Sequence, residues 1–230
     1  MPSKGVLYIV STPIGNLEDI TFRAIRILKE SPLIAAEDTR RTKKLLSHYK
    51  LETKTISYFE HNSFARIPKL INHLNSGEDL ALVSDAGTPG ISDPAYRLIR
   101  AAIDSNFLVQ SIPGPSAFLT ALVCSGLPTD RFIFEGFLPH KKGRKGKLEK
   151  IKDIDATVIY YESPNRIKKT LNDILKYVGD RPAVICRELS KKFEEIFRGK
   201  VSELLNNFNN GKTKGEFVIM IAKDDKNVYF

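Results

Sequence analysis

Short apolar runs and segments with helical spacing alternate along most of the chain, the pattern of an α/β architecture. Val6 to Val10 is an apolar strand, followed by the loop Ser11-Thr12-Pro13-Ile14-Gly15-Asn16. Ile20, Ala24, Ile25 and Leu28 then recur on one face and predict a helix over 20–28. The rhythm continues with strands predicted at 33–36, 56–59, 80–83 and 107–112 and helices at 40–48, 64–74, 95–103 and 117–124. Apolar strands separated by helices predict a mostly parallel sheet. Phe118, Leu119 and Leu122 read as core positions of the last helix.

From Arg131 onward the rhythm changes. Strand-like runs at 132–134, 157–161, 183–186, 193–197 and 217–222 lie closer together, with fewer helices between them. Phe193 to Phe197 carries two acids and is soon followed by Gly199, which suggests exposed or antiparallel pairing. The expected fold is therefore two-domain α/β. An N-terminal domain over 1–116 has a mostly parallel sheet, and a C-terminal domain over 117–230 has a mixed one. The segment 140–150 has six Lys or Arg, two glycines and one acid, Glu149, and is expected to be a mobile loop. Ser163 and Pro164 read as the cap and first turn of a helix after the 157–161 strand.

Composition narrows the class. With 230 residues and 42% hydrophobic content the chain can furnish a real core. No apolar run approaches the roughly 18 residues that a membrane span needs. The N-terminus enters a strand without a signal-peptide apolar core, so a cytoplasmic protein is expected. Cys124 and Cys186 are the only cysteines and read as small buried hydrophobes, with neither a disulfide nor a metal site expected. The net charge of +9 favours a polyanionic partner such as nucleic acid.

The most telling segment is Ser84-Asp85-Ala86-Gly87-Thr88-Pro89-Gly90-Ile91-Ser92-Asp93-Pro94, between a strand and a helix. Ordinary connections of this kind take about two to six residues, so one this long and rich in Gly and Pro points to a ligand. It lies at the carboxyl end of a strand, where open α/β sheets bind their ligands. Ser11 to Asn16 and Ile112 to Ala117 occupy equivalent positions. None of the three loops matches G-x-G-x-x-G, and no Walker Gly-Lys-Ser/Thr is present, which disfavours nicotinamide cofactors and P-loop phosphoryl transfer.

Together these segments resemble the tetrapyrrole-methylase superfamily of S-adenosylmethionine-dependent methyltransferases. Within it they are most similar to the group that methylates small-subunit ribosomal RNA on a ribose 2′-hydroxyl. The resemblance is carried by residues 11–17, Glu37-Asp38-Thr39-Arg40, Glu60-His61-Asn62, residues 84–94 and 112–117, Tyr161 to Arg166, and Arg187-Glu188-Leu189-Ser190-Lys191. It implies a two-domain fold holding S-adenosylmethionine in an interdomain cleft, a homodimer, and a cytidine in ribosomal RNA or the 30S subunit as substrate. Ile14, Asp85, Thr88, Ser116 and Ala117 fall where relatives contact the cofactor, with Tyr161 and the backbone near Arg187 and Gly215 as weaker candidates. Longer relatives carry a small helical C-terminal extension, whereas this chain stops soon after the 217–222 strand, so no RNA contact of that extension is carried over.

Methyl transfer to a ribose hydroxyl needs alignment of two reactants and a base or field favouring the alkoxide. Glu60 or His61, at a strand end, could accept the proton, and Asn62 could orient the ribose. Arg40, with Lys43 and Lys44, can meet phosphates from one helix face. Lys141, Lys142, Arg144 and Lys145 can drape along an RNA backbone, and Arg166 is a further RNA candidate. Two alternatives stay open: a methyltransferase of a small substrate such as a precorrin or a diphthamide precursor, and a catalytically silent RNA-binding protein on the same scaffold.

Overall fold

The computed structural model describes residues 4–208 and 214–229. The chain divides into two compact units, one ending at Ser116 and the other beginning at Ala117.

In the first unit, β1 (Val6–Val10), α1 (Phe22–Glu30), β2 (Leu33–Ala36), α2 (Thr39–His48), β3 (Lys54–Ser57), α3 (Ser63–Asn75), β4 (Leu80–Val83), α4 (Ala95–Asp104) and β5 (Leu108–Ile112) follow one another. The strands form one sheet in the order β3-β2-β4-β1-β5, and every pairing is parallel. Right-handed crossovers decide which face each helix covers. The connections β1→β2 and β2→β3 run one way across the sheet, so α1 and α2 share a face, packing Ala24, Ile27, Leu28 and Leu46 on Val10, Ile34, Ala36 and Val83. The connections β3→β4 and β4→β5 run back, placing Leu70, Leu74, Leu98 and Ala102 of α3 and α4 on Leu7, Ile9, Ala35 and Leu82. The inner strands β1, β2 and β4 are thus covered on both faces, which explains their apolar runs, while the edge strands β3 and β5 are partly exposed. Neighbouring strands β1 and β4 send their chains to opposite faces, opening a crevice beyond their carboxyl ends.

Side chains set several boundaries. Thr21 Oγ1 accepts the Ala24 N–H at 3.0 Å, so α1 starts at Phe22 rather than at Ile20. Asp38 caps α2 by accepting the Arg40 N–H at 2.8 Å. Strand β3 ends at Ser57, two residues before the predicted Phe59, because Asn62 Oδ1 accepts the Phe59 N–H at 2.9 Å and closes a turn there.

The second unit contains α5 (Ala117–Ser125), β6 (Phe132–Phe137), α6 (Arg144–Ile151), β7 (Thr157–Glu162), α7 (Ile167–Tyr177), β8 (Pro182–Arg187), β9 (Glu195–Lys200), α8 (Val201–Asn207) and β10 (Phe217–Ile221). Its sheet runs β6-β7-β10-β8-β9, with β6 and β7 parallel and the other pairs antiparallel, a mixed sheet. The core joins Leu148, Ile151, Leu171 and Ile174 of α6 and α7 to Tyr160, Ile185 and Ile219 of the strands. The predicted strand 193–197 is displaced to Glu195–Lys200, paired antiparallel with β8. Helix α7 starts at Ile167 rather than at Ser163, whose carbonyl instead accepts the Arg166 and Ile167 N–H groups in a turn. Residues 140–150 do not form a loop throughout: α6 occupies most of that span.

Cys186 is buried, but Cys124 is half-buried, and both are free thiols. Leu119 is 44% exposed rather than core, whereas Leu122 is buried. Among the described residues no helix is long and apolar enough to cross a membrane, and no three His, Cys, Asp or Glu gather to hold a metal ion.

Candidate active site

Three loops meet beyond the carboxyl ends of β1, β4 and β5. Thr12 and Gly87 exchange backbone hydrogen bonds of 2.9 and 3.0 Å, stitching the β1 and β4 loops together. Thr88 joins the third loop: its Oγ1 lies 3.1 Å from the Pro115 carbonyl and 2.9 Å from Ser11 Oγ. Glycine is favoured at two positions, by close approach at one and by backbone conformation at the other. A Cβ on Gly114 would lie 2.8 Å from Ser11 Cβ. Gly87 has φ +80°, a left-handed backbone conformation that favours glycine, although a Cβ there would meet Ile14 Cγ2 only at an ordinary 3.5 Å. Ile14, Asp85, Thr88 and Ser116 therefore stand on one edge of the first unit, and Ala117 is the next residue along the chain.

Carboxylates brace this edge from behind. Asp85 Oδ1 accepts the Asp38 N–H at 3.0 Å, and Glu37 Oε2 accepts the Asp85 N–H at 3.1 Å, a reciprocal tie between the ends of β2 and β4. Arg41 sits 3.3 Å from Asp85 Oδ2. Asp93 accepts the Gly90 N–H with both oxygens at 2.9 Å and caps α4 through the Ala95 N–H at 2.8 Å. Burial raises the Glu37 carboxyl above the ordinary glutamate value, with the charges of Asp85 and Asp93 adding to the effect. Burial also raises Asp93, against the pull of its backbone donors. A depression of about 180 Å³ opens beside the loops, lined by Thr12, Pro13, Arg41, Thr42, Ser84 and Asp85 among others.

The expected proton acceptors are arranged differently from one another. Glu60 is bound by Arg97 at 2.6 Å. His61 is exposed, with its ring edge-on to Phe59 at 6.2 Å. Asn62 is not free to hold a ribose: its Oδ1 takes the Phe59 N–H and its Nδ2 donates to Ser57 O and Oγ, both at 3.2 Å. Its role is to shape the turn.

In the second unit Tyr161 lies in an aromatic group, 4.9 Å from Phe134 and 5.6 Å from Phe137, with Phe118 stacked on Phe134 at 4.6 Å. Its phenol is raised by burial and meets the Phe118 backbone N–H. Arg187 Nε donates to the Lys214 carbonyl at 2.7 Å, and a Cβ on Gly215 would strike Glu188 Cγ at 2.7 Å.

The basic candidates divide into two kinds. Arg40 is exposed, held by a bidentate grip on Asp38 at 3.1 and 2.7 Å that pulls the Asp38 carboxyl far below its usual range. Lys141 and Lys142 are exposed in the turn before α6 and have no acidic partner among the described residues. Lys145, exposed as well, faces Glu149 at 3.6 Å. Arg144 and Arg166 are corrected: both point inward. Arg144 is 4% exposed and donates to Asp173 at 2.7 Å, Thr170 Oγ1 at 2.7 Å and the Pro139 carbonyl at 3.1 Å. Arg166 pairs with the buried Glu162 at 2.7 Å and donates to the Leu138 carbonyl at 3.1 Å. Their guanidinium groups are used in internal bonds and do not face an RNA backbone. The sequence signal was present: Arg144, Leu148 and Ile151 fall on one helical stripe. Glu37 went unassigned because nothing in a single acid at a strand end announces its burial.

The tetrapyrrole (corrin/porphyrin) methylase family profile matches residues 6–205. Ribosomal RNA small subunit methyltransferase I of Halalkalibacterium halodurans is 52% identical over 98% of this chain and 78% of its own length. The protein of that name from Thermotoga maritima is 46% identical over 95% of this chain and 98% of its own, and that from Bacillus subtilis 48% identical over 94% and 75%. Among solved structures, a cobalt precorrin-4 methyltransferase superposes with a TM-score of 0.70 at 17% identity, over 94% of both chains. Uroporphyrin-III C-methyltransferase from Thermus thermophilus, complexed with S-adenyl homocysteine, gives 0.67 at 17% identity over 94% of this chain and 97% of its own. At that identity the structural likeness shows the fold alone.

Proposed function

The chain belongs to the tetrapyrrole methylase family, and from that premise we propose that it methylates small-subunit ribosomal RNA with S-adenosylmethionine, at the ribose 2′-hydroxyl of a cytidine. The observation that carries the reading is the interlock of Ser11 to Ile14, Gly87-Thr88 and Gly114-Pro115, in a chain about half identical to relatives named for that RNA. Loops held this close to one another present a fixed edge of main-chain groups, which suits a ligand gripped by bare backbone. S-adenosylmethionine supplies an activated methyl group on a positively charged sulfur. Ile14 offers an apolar wall, Thr88 fixes the β4 loop against the β5 loop, and Asp85 locks that loop to β2. Ser116 and Ala117 extend the binding edge, and Tyr161 is the second unit's candidate contact. Holding two reactants in line can lower the barrier by about 7–11 kcal/mol.

RNA is bound by charge. Arg40 on α2 and Lys141, Lys142 and Lys145 at the start of α6 are assigned to phosphates, and Glu60 and His61 to the ribose side. The protein acts as a cytoplasmic homodimer, for which the exposed apolar residues Leu119 (44%), Val123 (76%) and Phe132 (39%) of the second unit offer a surface. Calorimetric titration with S-adenosylmethionine tests the cofactor assignment. Micromolar binding is expected, and absence of binding at millimolar ligand would remove it.

A further inference from the structure

Building on the ribose-methyltransferase reading, we propose that Glu37 is the catalytic base that takes the proton from the 2′-hydroxyl. Glu37 stands at the carboxyl end of β2, beside β4 on the edge that carries the ligand loops. Its two oxygens differ. Oε2 accepts the Asp85 N–H at 3.1 Å, which fixes the carboxylate against the β4 loop. Oε1 has no hydrogen-bond partner among the described residues, and the side chain is half-buried, not enclosed. A carboxylate anchored by one oxygen and open at the other is pre-oriented to accept a proton.

The surroundings suit that task. The charged groups around Glu37 are Asp85 and Asp93 from the β4–α4 loop and Arg41 from α2. Arg41 is drawn to Asp85 at 3.3 Å, and among the described residues no cation is salt-bridged to Glu37. On the other side β3 leads to Tyr58, whose phenol donates to the Pro94 carbonyl at 3.3 Å and, pushed up to about 12 by burial, stays neutral. Burial and two nearby acids make Glu37 more basic than an ordinary glutamate. Glu60 lacks these features: it is 57% exposed and its Oε1 is held by Arg97 at 2.6 Å.

The step balances without a further reactant. The hydroxyl proton passes to Glu37 Oε1 as the oxygen–methyl bond forms. The sulfur–methyl bond of the donor breaks, and its electron pair stays on sulfur, cancelling the positive charge. Solvent then takes the proton from Glu37.

Glu37→Gln is the informative variant, because an amide oxygen can still accept the Asp85 N–H but cannot take a proton at neutral pH. The experiment measures three quantities for the parent and E37Q proteins: calorimetric affinity for S-adenosylmethionine, affinity for small-subunit RNA, and single-turnover methyl transfer across pH 5–9. Expected are affinities within about threefold of the parent and transfer slowed about 100-fold or more. In the parent, transfer falls as pH drops through the carboxyl's raised value, and in E37Q this acid limb disappears. Transfer within a few-fold of the parent, or an acid limb kept in E37Q, would overturn the proposal. So would a loss of transfer matched by an equal loss of cofactor affinity, since Glu37 would then only hold the loop. Glu37→Asp, which keeps a carboxylate, should transfer faster than E37Q, and the reverse order counts against a base. A parent protein that transfers no methyl to RNA at any pH removes the underlying reading instead, which separates the two failures.

Discussion

At the scale of single residues, the site depends on missing atoms as much as on those present. Gly114 leaves no room for a methyl group against Ser11 Cβ at 2.8 Å, so Gly114→Ala must push the β1 and β5 loops apart. Strain of about 1–3 kcal/mol is expected there, and to the extent that it displaces the binding edge it is read as a roughly 5- to 150-fold loss of S-adenosylmethionine affinity by calorimetry. The same strain should lower the melting temperature by about 2–4 °C per kcal/mol in a chain of this size. Asp85 works in the opposite sense, by what it binds. Asp85→Ala leaves the Asp38 N–H and Arg41 without their acceptor and should weaken the cofactor by about 1–3 kcal/mol. Unchanged affinity in that variant would mean the β4 loop holds its shape without the carboxylate. The glycines and Asp85 were visible in the sequence as unusual residues for a connection. The bracing by Glu37 was not, since it depends on which strand lies beside β4.

At the scale of elements, most of the alternation was legible because the inner strands β1, β2 and β4 are buried on both faces and each helix on one. Boundaries failed where a side chain, not periodicity, sets them, as Asn62 does for β3 and Thr21 for α1. The segment 140–150 misled for a different reason. Its lysines and glycines suggested a solvated loop, yet one stripe of Arg144, Leu148 and Ile151 is buried. The burial of Arg144 also inverts its expected role. Breaking its pair with Asp173 by Arg144→Ala leaves an uncompensated carboxylate and should cost about 3–5 kcal/mol of stability by denaturant titration. Lys141→Ala with Lys142→Ala should leave stability within about 1 kcal/mol, two surface changes of about 0.5 each. That pair should instead flatten the salt dependence of RNA binding by about 1.4–1.8 in logarithmic slope. An unaltered slope would take both lysines out of the interface.

At the scale of the whole molecule, the sheet order β3-β2-β4-β1-β5 explains why three separated stretches of sequence share one site. Parallel strands deliver all their carboxyl ends to one edge, and the departure of β1 and β4 toward opposite faces opens that edge. Spacing along the sequence indicates which loops are unusual but not which strands are neighbours, so their meeting awaited the topology. The net charge of +9 suits a polyanionic substrate and gives little reason for a small one. The central claim is tested by supplying methyl-labelled S-adenosylmethionine together with small ribosomal subunits that lack the modification, then mapping the label in the RNA. The account predicts one labelled 2′-O-methylcytidine in small-subunit RNA. Label confined to a base, or absent from RNA while the cofactor binds, would contradict it.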